Sequence, residues 1–201
     1  MHGKVCVITG GTSGIGLCAA RALAAKGANL VMVARDIARA RAMAGELRAL
    51  SDCVVTTHYA DLSSIADMKR VGTEIANTHP HVDVLINNAG GIFGTREITL
   101  DGLERTFALN HLSYFVLANS LRENLLAAKR ANGGARVVNV ASRAHRGEVL
   151  DFSDLQSERD YRWFRTYGRS KLANILFSRE LARRWAQDGI TVNCLHPGFV
   201  T

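Results

Sequence analysis

Six short apolar runs separated by helical stretches constrain the fold of this chain more than any other feature of it. Residues 5–9 (Val-Cys-Val-Ile-Thr) read as a buried strand, and residues 15–26 as a helix that Gly27 stops. Residues 29–34 are the second expected strand and 37–50 an Ala- and Arg-rich helix. Strand 54–58, helix 65–77 and strand 82–86 follow. A long helical pattern covers 100–129, strand 136–140 comes next, then a second long helix over 160–187 and a sixth strand over 191–195. Strands that are apolar throughout are covered on both faces. Alternation with helices makes the sheet parallel, with right-handed crossovers. The expected fold is therefore α/β, a doubly wound parallel sheet of the Rossmann type, as a single domain across 1–201. No short repeat, low-complexity segment or second domain is evident. Residues 144–159 exceed an ordinary strand–helix connection and are expected to be irregular, where a substrate would enter.

The 201 residues suffice for one domain with a substantial core, and a 47% hydrophobic fraction with only 2 prolines suits an ordered α/β protein. Lys and Arg number 25 against 18 Asp and Glu, a net charge of +7. Such an excess suits phosphate-bearing ligands, but most of it is scattered and reads as solubility. The crowd of Arg159, Arg162, Arg165, Arg169, Arg179, Arg183 and Arg184 reads as a solvated helix face, so no nucleic-acid partner is expected. Cys6, Cys18, Cys53 and Cys194 form no CxxC pair and read as buried free thiols in a reducing compartment. No signal peptide and no membrane-spanning run is present in the sequence, which predicts a cytoplasmic location. The histidines, His79 and His81 included, lack a convergent spacing, so no metal site is expected.

Directly after the first strand stands Thr9-Gly10-Gly11-Thr12-Ser13-Gly14-Ile15-Gly16. Its GxxxGxG spacing lets the chain turn sharply and lets backbone N–H groups at a helix start approach a pyrophosphate. Gly10, Thr12, Ser13, Gly14, Ile15 and Gly16 are the expected cradle. After the second strand, Arg35 and Asp36 stand where a Rossmann site meets the adenosine ribose. An arginine there accommodates the 2′-phosphate of NADP, and a carboxylate binds the 2′-hydroxyl of NAD. Arg35 comes first and Asp36 has a second reading as a helix N-cap, so NADP is the expected cofactor, with NAD the alternative. Asp61, followed by Leu62, has two readings: a bond to the adenine amino group, or the cap of the helix starting near Ser64. Asn87-Asn88-Ala89-Gly90 closes the fourth strand and can form a cofactor wall, or a bare turn.

Tyr167 and Lys171 are four residues apart in Tyr167-Gly168-Arg169-Ser170-Lys171, which places them on one helix face. The ammonium favours the phenolate, which fits Tyr167 for acid/base work. Ser142, after the fifth strand, can polarise a substrate carbonyl from the carboxyl end of the sheet. Asn110 is a poor helix-interior residue, and its place inside the first long helical pattern has two readings: a local kink that holds a water, or a satisfied polar spot. Pure dinucleotide binding needs none of Ser142, Tyr167 and Lys171. Sugar-nucleotide epimerases share Tyr-x-x-x-Lys but favour a GxxGxxG turn and a sizeable C-terminal domain.

Taken together, residues 9–16, Asn87 to Gly90, Asn110, Ser142, Tyr167-x-x-x-Lys171 and Pro197-Gly198 resemble the short-chain dehydrogenase/reductase family over essentially the whole chain. Asp101-Gly102-Leu103-Glu104, Asn110-His111, residues 139–145 and His196-Pro197-Gly198 make it most similar to the retinol-dehydrogenase and WW-domain-oxidoreductase-like branch. The resemblance implies hydride transfer between a nicotinamide cofactor and a small carbonyl or alcohol substrate. It implies Tyr167 as general acid/base, Lys171 on the nicotinamide ribose, Ser142 on the substrate oxygen, and Asn110 anchoring a water in a relay to Lys171. Asn88, Ala89 and Gly90, with Pro197, Gly198, Val200 and Thr201, would complete the cofactor site. It also implies a homodimer or homotetramer through the two long helices. A further strand and a substrate-covering segment would follow Thr201, so the chain reads as truncated after the sixth strand.

Overall fold

The computed structural model describes residues 1–198. Its elements are β1 (Val5–Thr9), α1 (Gly14–Ala24), β2 (Asn29–Ala34), α2 (Ile37–Arg48), β3 (Val55–Tyr59), α3 (Ile65–Thr78) and β4 (Val84–Asn87). A short α4 (Arg105–Phe107) runs through a π-turn (Ala108–Leu112) into α5 (Ser113–Ser120), and α6 (Arg122–Asn132) follows. Then come β5 (Ala135–Val140), a 3₁₀ turn (Arg143–His145), α7 (Trp163–Arg184) and β6 (Ile190–Leu195). The sheet order is β3-β2-β1-β4-β5-β6, and every pairing is parallel. This is the doubly wound order, and its direction reverses between β1 and β4, which opens a crevice at the carboxyl ends of those strands.

Alternate side chains of each strand feed two cores. Val7, Val31, Leu85 and Val137 pack with Val71, Ile75, Leu117, Leu125 and Leu181 from α3, α5, α6 and α7. On the opposite face Cys6, Ile8, Leu30 and Met32 meet Ala20, Ala24, Ala44 and Leu47 of α1 and α2. The small alanines of α1 and α2 let these helices lie close to the sheet.

The two long helices expected from the sequence are altered. The pattern over 100–129 is a string of shorter helices: residues before Glu104 form a turn closed by a bridge between Ile98 and Glu104, and Glu104 caps α4 through Thr106 N–H and Phe107 N–H at 2.7 Å each. The second helix begins at Trp163 rather than at residue 160 and ends at Arg184. The irregular stretch expected over 144–159 is irregular apart from the 3₁₀ turn. Of the thiols, Cys6 and Cys53 are buried, but Cys18 is exposed on the outer face of α1 and Cys194 is half-buried. The late arginines pair with carboxylates: Arg159 with Asp151, Arg165 and Arg169 with Glu148, Arg183 and Arg184 with Glu180. No described helix is long and apolar enough to cross a membrane. No described group of His, Cys, Asp and Glu could hold a metal.

Candidate active site

The crevice at the switch point is a cleft of about 620 Å³ lined by Gly10, Thr12, Ser13, Ile15 and Gly16, by Arg35, Asp36 and Arg39, by Asp61 and Leu62, and by Asn88, Ala89 and Gly90. Its floor is knitted by two residues. The buried hydroxyl of Thr9 accepts from Asn88 N–H at 3.0 Å and Ala89 N–H at 2.9 Å. The Asn88 amide donates back to Thr9 O at 2.9 Å and Gly10 O at 3.3 Å. Gly16 has no room for a side chain: a Cβ there would stand 2.2 Å from Gly10 O and 2.5 Å from the Asn88 amide nitrogen. Gly14, with φ +50°, faces open space. Ser13 caps α1 in extended conformation without a side-chain capping bond, so first-turn N–H groups remain available to an anion.

At the end of the cleft beside β2, Asp36 is the N-cap of α2 and accepts from Arg39 N–H at 2.9 Å. Arg35 and Arg39 are exposed on the cleft wall. Asp61 does not cap α3. Ser64 does, while Asp61 folds back on Ser63 N–H at 3.0 Å and Ser63 Oγ at 2.7 Å. A serine three residues before Asp67 outcompetes the carboxylate for the cap, and Asp61 is left as a wall residue of the cleft.

A second cavity of about 340 Å³ shares Ile15, Asn88, Gly90 and Gly91 with the cleft. Its other walls are Ile92, Val140, Ala141, Ser142, Tyr167, Lys171 and His196 to Gly198. Ser142 Oγ accepts from Ala144 N–H at 3.2 Å, which opens the 3₁₀ turn and leaves its hydroxyl proton to donate. Lys171 is 3% exposed, and its ammonium donates to Val140 O at 2.9 Å. It also lies 5.5 Å from the Tyr114 ring and 5.6 Å from the Tyr167 ring. Burial holds its pKa down to about 8. The ammonium thus faces the ring of Tyr167 and is anchored on the backbone of β5.

Asn110 is fully buried at the centre of the π-turn. Its Oδ1 accepts from Gly91 N–H at 2.8 Å, and its amide donates to Gly91 O at 2.9 Å and Ser170 Oγ at 3.1 Å. The kink expected at this residue is the π-turn. A Cβ on Gly90 would lie 3.0 Å from Asn110 Oδ1 and 3.4 Å from Lys171 Nζ, so only glycine keeps this corner open. Apart from Gly14, which lines neither cavity, the structure brings every expected site residue up to Gly198 to one of the two connected cavities or, for Asn110, directly behind their shared wall. Val200 and Thr201 lie outside the described residues. The sequence reading missed Thr9, Arg39, Ser170 and Asn174. Arg39 stands four residues after Arg35, a spacing that could have flagged it. A glycine-backed helix N-terminus with free first-turn donors, in a cleft whose far wall carries two basic side chains, fits the anionic pyrophosphate of a dinucleotide.

The family model for short chain dehydrogenases matches residues 4–201. Retinol dehydrogenase 14 of Mus musculus is 40% identical over 211 residues, covering 100% of this chain and 62% of its own length. This chain thus spans 62% of that relative. Among solved structures, the Pseudomonas aeruginosa RhlG/NADP active-site complex is 30% identical with a TM-score of 0.80, over 98% of this chain and 73% of that one. An NADH-dependent reductase complexed with NAD is 27% identical with a TM-score of 0.80, over 98% of this chain and 79% of that one. With the doubly wound sheet, the glycine turn and the Ser142, Tyr167 and Lys171 constellation in place, the chain belongs to the short-chain dehydrogenase family, in the branch that resembles retinol dehydrogenases.

Proposed function

We propose that this protein is an NADP-preferring oxidoreductase that interconverts a carbonyl and an alcohol, with Tyr167 as general acid/base. The observation that carries the reading is the convergence of Ser142, just past β5, with Tyr167 and Lys171, both on α7, on a cavity that shares a wall with the longer cleft. The bound dinucleotide supplies or takes up the hydride. The chain's residues handle position and proton. Ser142 donates a hydrogen bond to the substrate oxygen and holds it beside Tyr167. The Tyr167 hydroxyl gives that oxygen its proton in the reductive direction and removes it in the oxidative one. The Lys171 ammonium favours the phenolate left behind, and its bond to Val140 O ties it to the strand that presents Ser142. Gly90, Gly91 and Asn88 form the wall against which the reacting end of the dinucleotide would lie.

The preference for NADP rests on charge. Asp36 is committed to the cap of α2, and the two side chains that remain on the cleft wall there, Arg35 and Arg39, are both cationic. A hydrogen bond to a charged group contributes about 1.5–3 kcal/mol, or roughly tenfold and more in affinity. Titration of NADPH and NADH by fluorescence tests this. NADPH should bind more tightly, Arg35→Ala and Arg39→Ala should each shrink the preference, and Asp36→Ala should not. A tighter constant for NADH in the parent protein would overturn the assignment.

A further inference from the structure

A π-turn carries one residue more than the α-helix it interrupts, so its carbonyls fall out of the regular ladder. Here Ser113 N–H reaches back to Ala108 O. Two side chains then take the carbonyls in between. Ser113 Oγ donates to Leu109 O at 2.6 Å, and Asn174 Nδ2 donates to Asn110 O at 2.7 Å. Asn174 is fully buried on α7, one turn beyond Ser170 and Lys171. Its other amide atom, Oδ1, is 3.0 Å from His111 Nδ1. A carbonyl oxygen can only accept, so Asn174 must present its NH₂ to Asn110 and its oxygen to His111. His111 Nδ1 must then carry the ring proton. The imidazole packs edge-on to Phe177 at 6.0 Å and against Phe107 at 5.2 Å, surroundings that keep it neutral.

We propose that Asn174 is a positioning residue: its amide, oriented by the Nδ1–H of His111, fixes the peptide of Asn110 and thereby holds the Asn110 side chain against Gly91 and Ser170. The clamp spans three elements. It joins the π-turn to α7, which carries Tyr167 and Lys171, and through Asn110 to Gly91, which lines both cavities. A second line of buried bonds supports it from the sheet: Asn87 Nδ2 donates to Asn139 Oδ1 at 2.8 Å, Asn139 Nδ2 to Ser178 Oγ at 2.9 Å, and Ser178 Oγ to Asn174 O at 2.6 Å. The backbone of Asn174 is thus held from β5 while its side chain holds Asn110. The inference rests on the oxidoreductase reading only for the use to which Gly91 and Lys171 are put.

Asn174→Leu keeps the size of the side chain and removes the donor. The test is amide hydrogen exchange and imidazole nitrogen NMR on the protein without cofactor. The Gly91 amide, which donates to Asn110 Oδ1, should exchange at least tenfold faster relative to the Val7 and Ile8 amides of β1. General softening would accelerate all three by one common factor. In the parent, His111 should show the Nδ1–H tautomer, and in Asn174→Leu it should lose that preference. His111→Phe leaves the Asn174 donor in place, so its relative Gly91 exchange should fall between the parent and Asn174→Leu. An unchanged ratio of Gly91 to β1 exchange in Asn174→Leu, or an Nε2–H tautomer in the parent, would overturn the proposal. Because no turnover is read, failure here is separate from a failure to reduce carbonyls.

Discussion

Lys171 sets two demands against each other: the proposed chemistry needs its charge, and its burial disfavours that charge. Burial lowers its pKa from 10.5 to about 8, which leaves it cationic at neutral pH in the folded protein. The unfolded chain keeps the ordinary value, so between pH 8 and 10.5 the unfolded state binds more protons and stability rises with pH. Below pH 8 the whole penalty is present, about 3 kcal/mol from the distance between the two values. Urea melts of the parent and of Lys171→Met test this. The stability advantage of the Met variant should fall by about 3 kcal/mol between pH 7 and pH 10.5, and a constant difference would contradict it. At this scale the sequence displayed the residues whose chemistry needs a type at a spacing: Tyr167 with Lys171, Ser142 after a strand, Arg35 after another. It did not display partners whose contribution is a backbone atom, such as Val140 O. Nor did it display Asn174, whose side chain works only because a π-turn far away in sequence presents a carbonyl to it.

At the scale of elements, the apolar runs located all six strands, and their bounds moved by a residue or two. The helices were less legible. A continuous apolar periodicity over 100–129 cannot reveal the π-turn at 108–112 or the break at Leu121, because both preserve burial on nearly the same face; only Asn110 betrayed the first. Helix contacts were invisible for a similar reason, since small residues carry no period. Gly72 of α3 lies against α5, where a Cβ would come within 2.7 Å of Ser120 Cβ and 2.8 Å of its Oγ. Gly45 of α2 is exposed, and a Cβ there meets nothing within 4 Å. The same substitution should therefore have opposite signs. Gly72→Ala should cost about 1–3 kcal/mol by overpacking, and Gly45→Ala should stabilise by about 0.4–1 kcal/mol through backbone entropy and helix propensity. Denaturant midpoints of the two variants shifting in the same direction would contradict this view of the two helices.

For the whole molecule, part of the apolar surface left over by the fold lies on neighbouring faces of α5 and α7. Phe115 and Leu176 remain 48% and 42% exposed. The Phe115 ring sits 5.6 Å from Phe177, which joins the two helices into one apolar face. Two copies meeting through these helices would cover it, so sedimentation at micromolar concentration should give a dimer or larger species, and Phe115→Glu should shift it toward monomer. A parent that sediments only as a monomer would contradict the expected association. The acid/base role of Tyr167 is the claim on which the functional account turns. Tyr167→Phe keeps the ring under the Lys171 ammonium and removes only the hydroxyl. Loss of NADPH absorbance, followed for a ketone or aldehyde that the parent reduces, should fall by about 10²–10⁴-fold, while NADPH binding by fluorescence stays within a few-fold of the parent. Near-parental turnover in Tyr167→Phe would contradict the account.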